Sequence, residues 1–315
     1  MVNFKVLSNN PTSFSWRKAC RVACRSIMNA IIGCITGRIS APNIFLLGQF
    51  KCGSSSVASV LRSHGAAYSV FGKEPHFICG YKACWLDARL LKLLPPSFAY
   101  ALKRALYLGC FQTVPRSQLL MDATVYNFAP RYAVDFIRRT SPEAKLIICL
   151  RDPVERAISH FFFEQRTKWL REHFPFATLQ QCWEHQTTDL FLQDSNRVFQ
   201  IKPPEIINLQ DFYYYVETNI VQHGIYVTAV RGLLEVFDRN QVLIICLEDI
   251  IADQEQVMER LMSFLNVDYQ HMPFPHVLAG TNRQNVDPEL LHNMKSFYHP
   301  FNEDLFDLLG ERFPW

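Results

Sequence analysis

The chain has 315 residues, 49% of them hydrophobic and 13% aromatic, enough apolar material for one large core near the upper size of a single domain. Its formal net charge is only +3, so wrapping a polyanion by bulk charge is excluded and any basic site has to be local. Collagen-like, disordered and multi-spanning membrane classes are excluded by the same composition.

Residues 1–38 stand apart from the rest. They carry Lys5, Arg17, Lys18, Arg21, Arg25 and Arg38 and no acidic residue. The apolar stretch among them, Ile27 to Thr36, is shorter than the ~20 residues a membrane-crossing helix needs. A weak signal anchor, an Arg-rich targeting segment and a plain basic tail all fit this pattern. No N-glycosylation sequon exists, since Asn10-Pro11-Thr12 is blocked by its proline, and this counts against a luminal setting. The expected division is a basic tail or weak anchor over 1–40 and one domain over 41–315.

From there on, apolar strand-like runs alternate with helical patterns, which predicts a parallel α/β sheet covered on both faces. The first strand is Asn43–Leu47. Gly48-Gln49-Phe50-Lys51-Cys52-Gly53-Ser54-Ser55-Ser56 follows, and then a helix over Ser54–His64. A strand, a glycine-bracketed turn and a helix N-terminus converge backbone N–H groups on one phosphate. Gly48 and Gly53 have Walker-loop spacing, but Ser54 stands where that loop places lysine, and the lysine sits earlier at Lys51. With no obvious magnesium-holding aspartate on the next strand, a nucleoside triphosphatase or P-loop kinase is disfavoured.

Lys73-Glu74-Pro75-His76-Phe77 comes next and offers a carboxylate as a base, with cations beside it. Further strands are expected at Gln118–Met121, Lys145–Leu150 and Val242–Leu247. Helices are expected at Arg131–Thr140, Asp152–Arg166, Gly224–Phe237, Gln254–Leu265 and Pro288–Phe297. Arg151 ends the third strand, the edge where open α/β sheets bind ligands. Asp152-Pro153-Val154-Glu155 then opens a helix with Asp as cap, Pro at the first position and Glu behind it. Ser159 lies about two turns along, so Arg151 and Ser159 can grip a second phosphate. The stretch 164–215 is expected to be an insertion lining an acceptor cleft, with Arg166, Lys168 and Arg171 among its charges; Lys82 and Arg89 lie after His76.

Ten cysteines are irregularly spaced and form no paired CxxC knuckles, so no zinc site is expected. Cys149 and Cys246 lie in apolar runs and read as buried thiols, while pairing of Cys79 with Cys84 is left open.

The Lys51-to-Ser56 loop, the Arg151-to-Phe161 segment and Lys73-Glu74-Pro75-His76-Phe77 together resemble the sulfotransferases that use 3′-phosphoadenosine 5′-phosphosulfate (PAPS), in their heparan sulfate and chondroitin branch. The likeness runs from about Ile44 to Trp315. It includes Gly224-Ile225-Tyr226, Leu247-Glu248-Asp249-Ile250 and the closing Phe313-Pro314-Trp315. It implies a P-loop NTPase-like three-layer fold, with a central parallel sheet flanked by helices. It also implies sulfuryl transfer from PAPS to a glycan hydroxyl, with no metal and no nucleic-acid partner.

By the same resemblance the 5′-phosphosulfate falls to Lys51, Cys52, Gly53, Ser54, Ser55 and Ser56, and the 3′-phosphate to Arg151 and Ser159. Glu74 is the implied base, with Lys73 and His76 assisting or contacting the acceptor and Lys51 as the cation where charge develops. Gly280, Thr281 and Arg283 stand in for the branch's Lys-Gly-Arg donor loop, which here reads Ala279-Gly280-Thr281-Asn282-Arg283. Met121-Asp122-Ala123-Thr124 lacks the lysine that some heparan sulfate enzymes carry there, and Cys79 replaces an aspartate. A chondroitin-type acceptor is therefore as compatible as heparan sulfate, and an impaired, binding-only relative stays open. The branch implies a Golgi setting, with the N-terminus as an anchor to the membrane.

Overall fold

The computed structural model describes residues 24, 27–33, 35–36, 40–69, 72–75, 77–78, 93–111, 119–166, 176–192, 219–271 and 286–315. Five strands form one sheet in the order β2-β3-β1-β4-β5: β1 (Ile44–Leu46), β2 (Ala67–Tyr68), β3 (Leu120–Asp122), β4 (Lys145–Leu150) and β5 (Val242–Cys246). Every neighbouring pair is parallel, with Phe45 opposite Asp122 on one side and Leu146 on the other. The strands β1, β4 and β5 are apolar except for Lys145 at the start of β4, because both sheet faces are covered.

The period-2 alternation of side chains sorts them into two cores. Ile44, Leu46, Met121, Ile147, Cys149 and Ile245 meet α1 (Ser54–Ser63) and α8 (Gln254–Leu265) on one face. Phe45, Leu146, Ile148, Leu150 and Ile244 point the other way. There they meet α2 (Pro96–Gly109), α3 (Arg131–Thr140), α4 (Pro153–Arg166), α5 (Leu179–Leu192), α6 (Tyr226–Leu234) and α9 (Pro288–Leu309). A short α7 (Leu247–Ala252) follows β5. This is the three-layer α/β/α sandwich expected from the alternation of patterns.

Three elements coincide with their sequence-predicted bounds: α3, β4 and α8. The closing helix departs most, running to Leu309 through Pro300 instead of ending at Phe297. Proline removes one hydrogen bond inside the helix. Burial of Leu305 and Phe306 beyond it, with Gly310 closing the end at φ 64°, keeps the chain helical. The edge strand β2 and the helix α2 were not anticipated. The former has two residues, and the latter follows Pro95 with no side-chain cap.

Candidate active site

The phosphate loop leaves β1 at the carboxyl edge of the sheet. Gly48 has φ 138° and lies against Phe128, while Lys51 (φ 68°) and Gly53 (φ 81°) both take left-handed backbone. A Cβ on Gly53 would come to 2.9 Å from Leu247 Cδ1, which would have to shift, and the left-handed backbone there favours glycine in any case. The N–H groups of Ser56 and Val57 are used by the Gly53 carbonyl, at 2.9 and 3.2 Å. Ser54 and Ser55, in the first turn of α1, point their N–H groups along the axis without helical partners, as every helix start does. Gln49 pins the loop from behind: its Oε1 accepts from Phe50 N–H at 2.7 Å, and its Nε2 donates to the His223 carbonyl at 3.1 Å.

Within this turn the two ionisable side chains differ. Cys52 is fully buried, 4.0 Å from the Tyr226 hydroxyl, and burial pushes its thiol up to about 12. It therefore contributes its backbone and not a thiolate. Lys51 places its ammonium 4.3 Å from the Phe163 ring centre. Burial first, then the Arg166 and Arg151 charges, pull it down to about 8, while Glu164 opposes the fall.

Glu74 reaches the same edge from the other side. Ala123 N–H donates to the Lys73 carbonyl at 3.1 Å, stitching this segment to the end of β3, and buried Phe77 packs on Tyr107 behind it. Lys73 Nζ then donates both to Ser55 Oγ at 3.0 Å and to Glu74 Oε1 at 2.8 Å. The carboxylate is thus tied through one ammonium to the first turn of the phosphate-loop helix. Asp122, which sequence reasoning weighed only for the lysine missing beside it, is buried here. It accepts from the Tyr107 hydroxyl at 2.8 Å and from Thr124 N–H at 3.0 Å. Burial raises its carboxyl above the usual range, and the Glu74 charge adds to the rise.

Arg151 stands at the end of β4, 3.5 Å from the Lys51 carbonyl and 3.5 Å from Glu155 Oε2. Its own carbonyl accepts from the Tyr226 hydroxyl at 2.8 Å. Asp152 caps α4 as read, its Oδ1 accepting from Val154 and Glu155 N–H at 2.8 and 3.4 Å. Ser159 lies half-buried one turn beyond Glu155, on the same face of α4. Arg151 and the Lys51 turn thus lie side by side at one sheet edge.

Sequence reasoning missed a column on the same helix. Arg156, His160 and Glu164 recur every four residues and are all fully buried. Arg156 Nη2 donates to the Ile220 carbonyl, and Nη1 lies 3.2 Å from His160 Nδ1. A guanidinium can only donate, so His160 carries its proton on Nε2, which lies 3.2 Å from Glu164 Oε1. Burial and then the Arg156 charge hold His160 well below the ordinary histidine value. Phe50 of the phosphate loop packs on this column, 4.7 Å from the His160 ring and 5.5 Å from Phe163. The four-residue spacing was a visible signal, but nothing in the sequence says which face of α4 is buried.

His76, Lys82 and Arg89, the Lys168–Arg171 stretch, and Gly280, Thr281 and Arg283 lie outside the described residues, as do Cys79 and Cys84. Cys149 and Cys246 are buried, as read.

A parallel sheet with a glycine-bracketed turn into a helix at its carboxyl edge is a nucleotide-type α/β architecture. The same fold is seen in a sulfotransferase from Alicyclobacillus acidocaldarius, 20% identical, with TM-score 0.59 over 87% of this chain and 98% of that one. Residues 41–306 match the family described as Sulfotransferase domain, and the chain belongs to that family. Among curated proteins it is 24% identical to human heparan sulfate glucosamine 3-O-sulfotransferase 3B1, over 89% of this chain and 66% of that protein. It is also 24% identical to human carbohydrate sulfotransferase 15, over 87% of this chain and 54% of that protein. The chain thus spans between about half and two-thirds of the length of these relatives.

Proposed function

We propose that the chain is a PAPS-dependent O-sulfotransferase acting on a glycan hydroxyl, with glycosaminoglycans as the acceptor class and Glu74 as general base. The observation that carries this reading is the Ser55–Lys73–Glu74 chain of hydrogen bonds, which holds a carboxylate beside the phosphate loop. Glu74 takes the proton of the acceptor hydroxyl as its oxygen forms a bond to sulfur and the bond from sulfur to the leaving phosphate breaks. Lys51 and the first-turn N–H groups of Ser54 and Ser55 stabilise charge on the transferring and leaving groups, with the Cys52–Ser56 backbone as the cradle. Arg151 and Ser159 hold the 3′-phosphate, where a guanidinium and a hydroxyl match a phosphate's oxygens. His76 assists on the acceptor side, and Gly280, Thr281 and Arg283 serve as donor-binding residues. The 164–215 stretch lines the acceptor cleft, and the setting is the Golgi lumen. Relatives named for heparan sulfate and for other carbohydrate sulfation match about equally, so the acceptor class stays at glycosaminoglycan.

The test is transfer of label from sulfur-labelled PAPS to desulfated heparan, chondroitin and dermatan chains, with a Glu74→Gln variant alongside. We expect the wild type to label at least one chain and the variant to lose on the order of 10²- to 10⁴-fold in rate. Calorimetry should show unchanged binding of 3′-phosphoadenosine 5′-phosphate by the variant. Nucleotide binding without transfer by the wild type would favour a binding-only relative, and no nucleotide binding at all would sink the proposal.

A further inference from the structure

Two lysines flank the turn from β1 into α1, and they are held in different ways. Lys73 Nζ donates to Ser55 Oγ at 3.0 Å and to Glu74 Oε1 at 2.8 Å, so its donors are committed to neighbours. Lys51 is half-buried, yet among the described residues no carboxylate or other acceptor stands within bonding distance of its ammonium. Its partners are rings: the centre of Phe163, on α4, lies 4.3 Å from Nζ, and that of Phe50 lies 5.8 Å away.

These rings are themselves fixed. Phe50 meets Phe163 edge-on at 5.5 Å and the buried His160 ring at 4.7 Å, and it stacks at 6.0 Å on Tyr126, from the short turn Val125–Asn127 after β3. The tip of the β1–α1 turn is thus gripped by side chains of two other elements. Lys51 itself takes left-handed backbone, φ 68°, which is unfavourable for any residue with a Cβ. With Phe50 locked before it, that backbone brings the lysine side chain back onto Phe163.

Charge explains why a ring suits this place. Arg166 and Arg151 repel the ammonium, and the buried Glu164 carboxylate attracts it. A carboxylate in direct contact would hold the lysine more firmly, but it would also occupy N–H donors that a phosphosulfate oxygen needs. The face of an aromatic ring attracts the charge through its quadrupole and takes no conventional hydrogen bond from it. Lys51 is therefore held in position with its donors uncommitted, the opposite of Lys73.

We propose that Phe163, braced by Phe50, is a positioning residue for sulfuryl transfer: its ring is the seat that holds the Lys51 ammonium ready for the transferring and leaving groups. The inference rests on the proposed function for what Lys51 does, and on the ring geometry alone for where Lys51 is held.

The test replaces Phe163 in the full chain by leucine, which keeps apolar bulk without a ring, and by mono-, di- and trifluorinated phenylalanine. Fluorine keeps the ring's shape and drains negative charge from its face. Phe163→Leu should lower kcat/KM for PAPS by roughly 3- to 30-fold, and the fluorinated series should fall in steps toward the leucine value. Calorimetry with 3′-phosphoadenosine 5′-phosphate should follow the same steps. In a Lys51→Met background, where the charge is gone, the series should be flat in that binding. In the free protein, the Lys51 Cε protons should be shifted upfield by the ring in NMR spectra and return to the ordinary lysine position in Phe163→Leu. A wild-type background indifferent to fluorination overturns the proposal. So does a series that falls equally with Lys51→Met, because the ring would then act through packing alone. Absence of the upfield shift overturns the seat itself. A wild type that binds no nucleotide would overturn the proposed function, and with it the role of the seat, while the upfield shift would still decide whether Phe163 holds Lys51.

Discussion

Lys51 sits between opposing influences that decide when it is charged. Burial and the Arg166 and Arg151 charges bring it down to about 8, and the buried Glu164 carboxylate works against them. Since the ammonium is the protonated form, its charge is present below that value and is lost as pH rises through it. If Lys51 stabilises the leaving phosphate, kcat/KM for the donor falls as pH rises past about 8. Glu164→Gln removes a carboxylate that favours the ammonium and should shift this alkaline limb to lower pH. Lys51→Arg, whose guanidinium does not titrate, should erase the limb with or without the Glu164 change. A limb that stays in place in Glu164→Gln would show that the Arg156–His160–Glu164 column supports α4 and leaves Lys51 alone. At the same scale, the motif residues were legible because their chemistry is local. Lys51, Glu74 and Arg151 could be picked out by type and spacing, whereas Asp122 and Glu164 become neighbours of the site only through Tyr107, Thr124 and His160.

Among the elements, the turn from β1 into α1 is the least replaceable. Gly53 combines φ 81° with an approach to Leu247 so close that a Cβ would displace the leucine's end. Gly53→Ala should therefore lose on the order of 1–3 kcal/mol of stability, from left-handed strain and the displaced leucine. It should also weaken 3′-phosphoadenosine 5′-phosphate binding, because the N–H groups of Ser54 and Ser55 are aimed by this turn. Denaturant unfolding and calorimetry read the two effects separately, and an alanine variant with both intact would refute the account. Element boundaries were legible where capping chemistry is local, as at Asp152 and at Asp253, whose Oδ1 accepts from Gln256 N–H at 3.0 Å. They were not legible at Pro300, where burial on both sides outweighs one missing hydrogen bond. Nor were they at β2, which owes its strand geometry to pairing with β3.

Across the whole molecule, distant segments converge on the strand that carries Arg151. Trp315 donates from Nε1 to Cys246 Sγ at 3.1 Å and packs its ring on Phe313, Phe306 and Tyr226, with centroids 5.3, 5.4 and 6.0 Å away. Tyr226 passes the contact on, its hydroxyl holding the Arg151 carbonyl. Glu248 completes the support, accepting from Asp152 N–H at 3.1 Å and from the Cys246 thiol at 2.8 Å. Replacing Trp315 by alanine should cost on the order of 3 kcal/mol, since a large ring leaves a gap among other aromatics. It should also weaken nucleotide binding through Tyr226 and Arg151, and a thermal melt with and without 3′-phosphoadenosine 5′-phosphate would measure both. Loss of stability with undiminished ligand stabilisation would separate the aromatic cluster from the donor site.

The sequence by itself determined the layered class of the fold, the glycine-bracketed turn and the capped turn at the ends of two strands, and the acid-free character of the N-terminus. Each of these is written in neighbouring residues: a glycine-bracketed turn after an apolar run, a capping aspartate after an arginine, charges counted along the chain. Only the tertiary structure decided that Lys73 bridges Ser55 to Glu74, that three ionisable residues of α4 are buried behind the turn from β1, and that Asn29 donates to the Gly109 carbonyl eighty residues on. Those facts depend on which helix face meets which strand edge. That is settled by packing between segments tens to hundreds of residues apart, a property that no local pattern of side chains encodes.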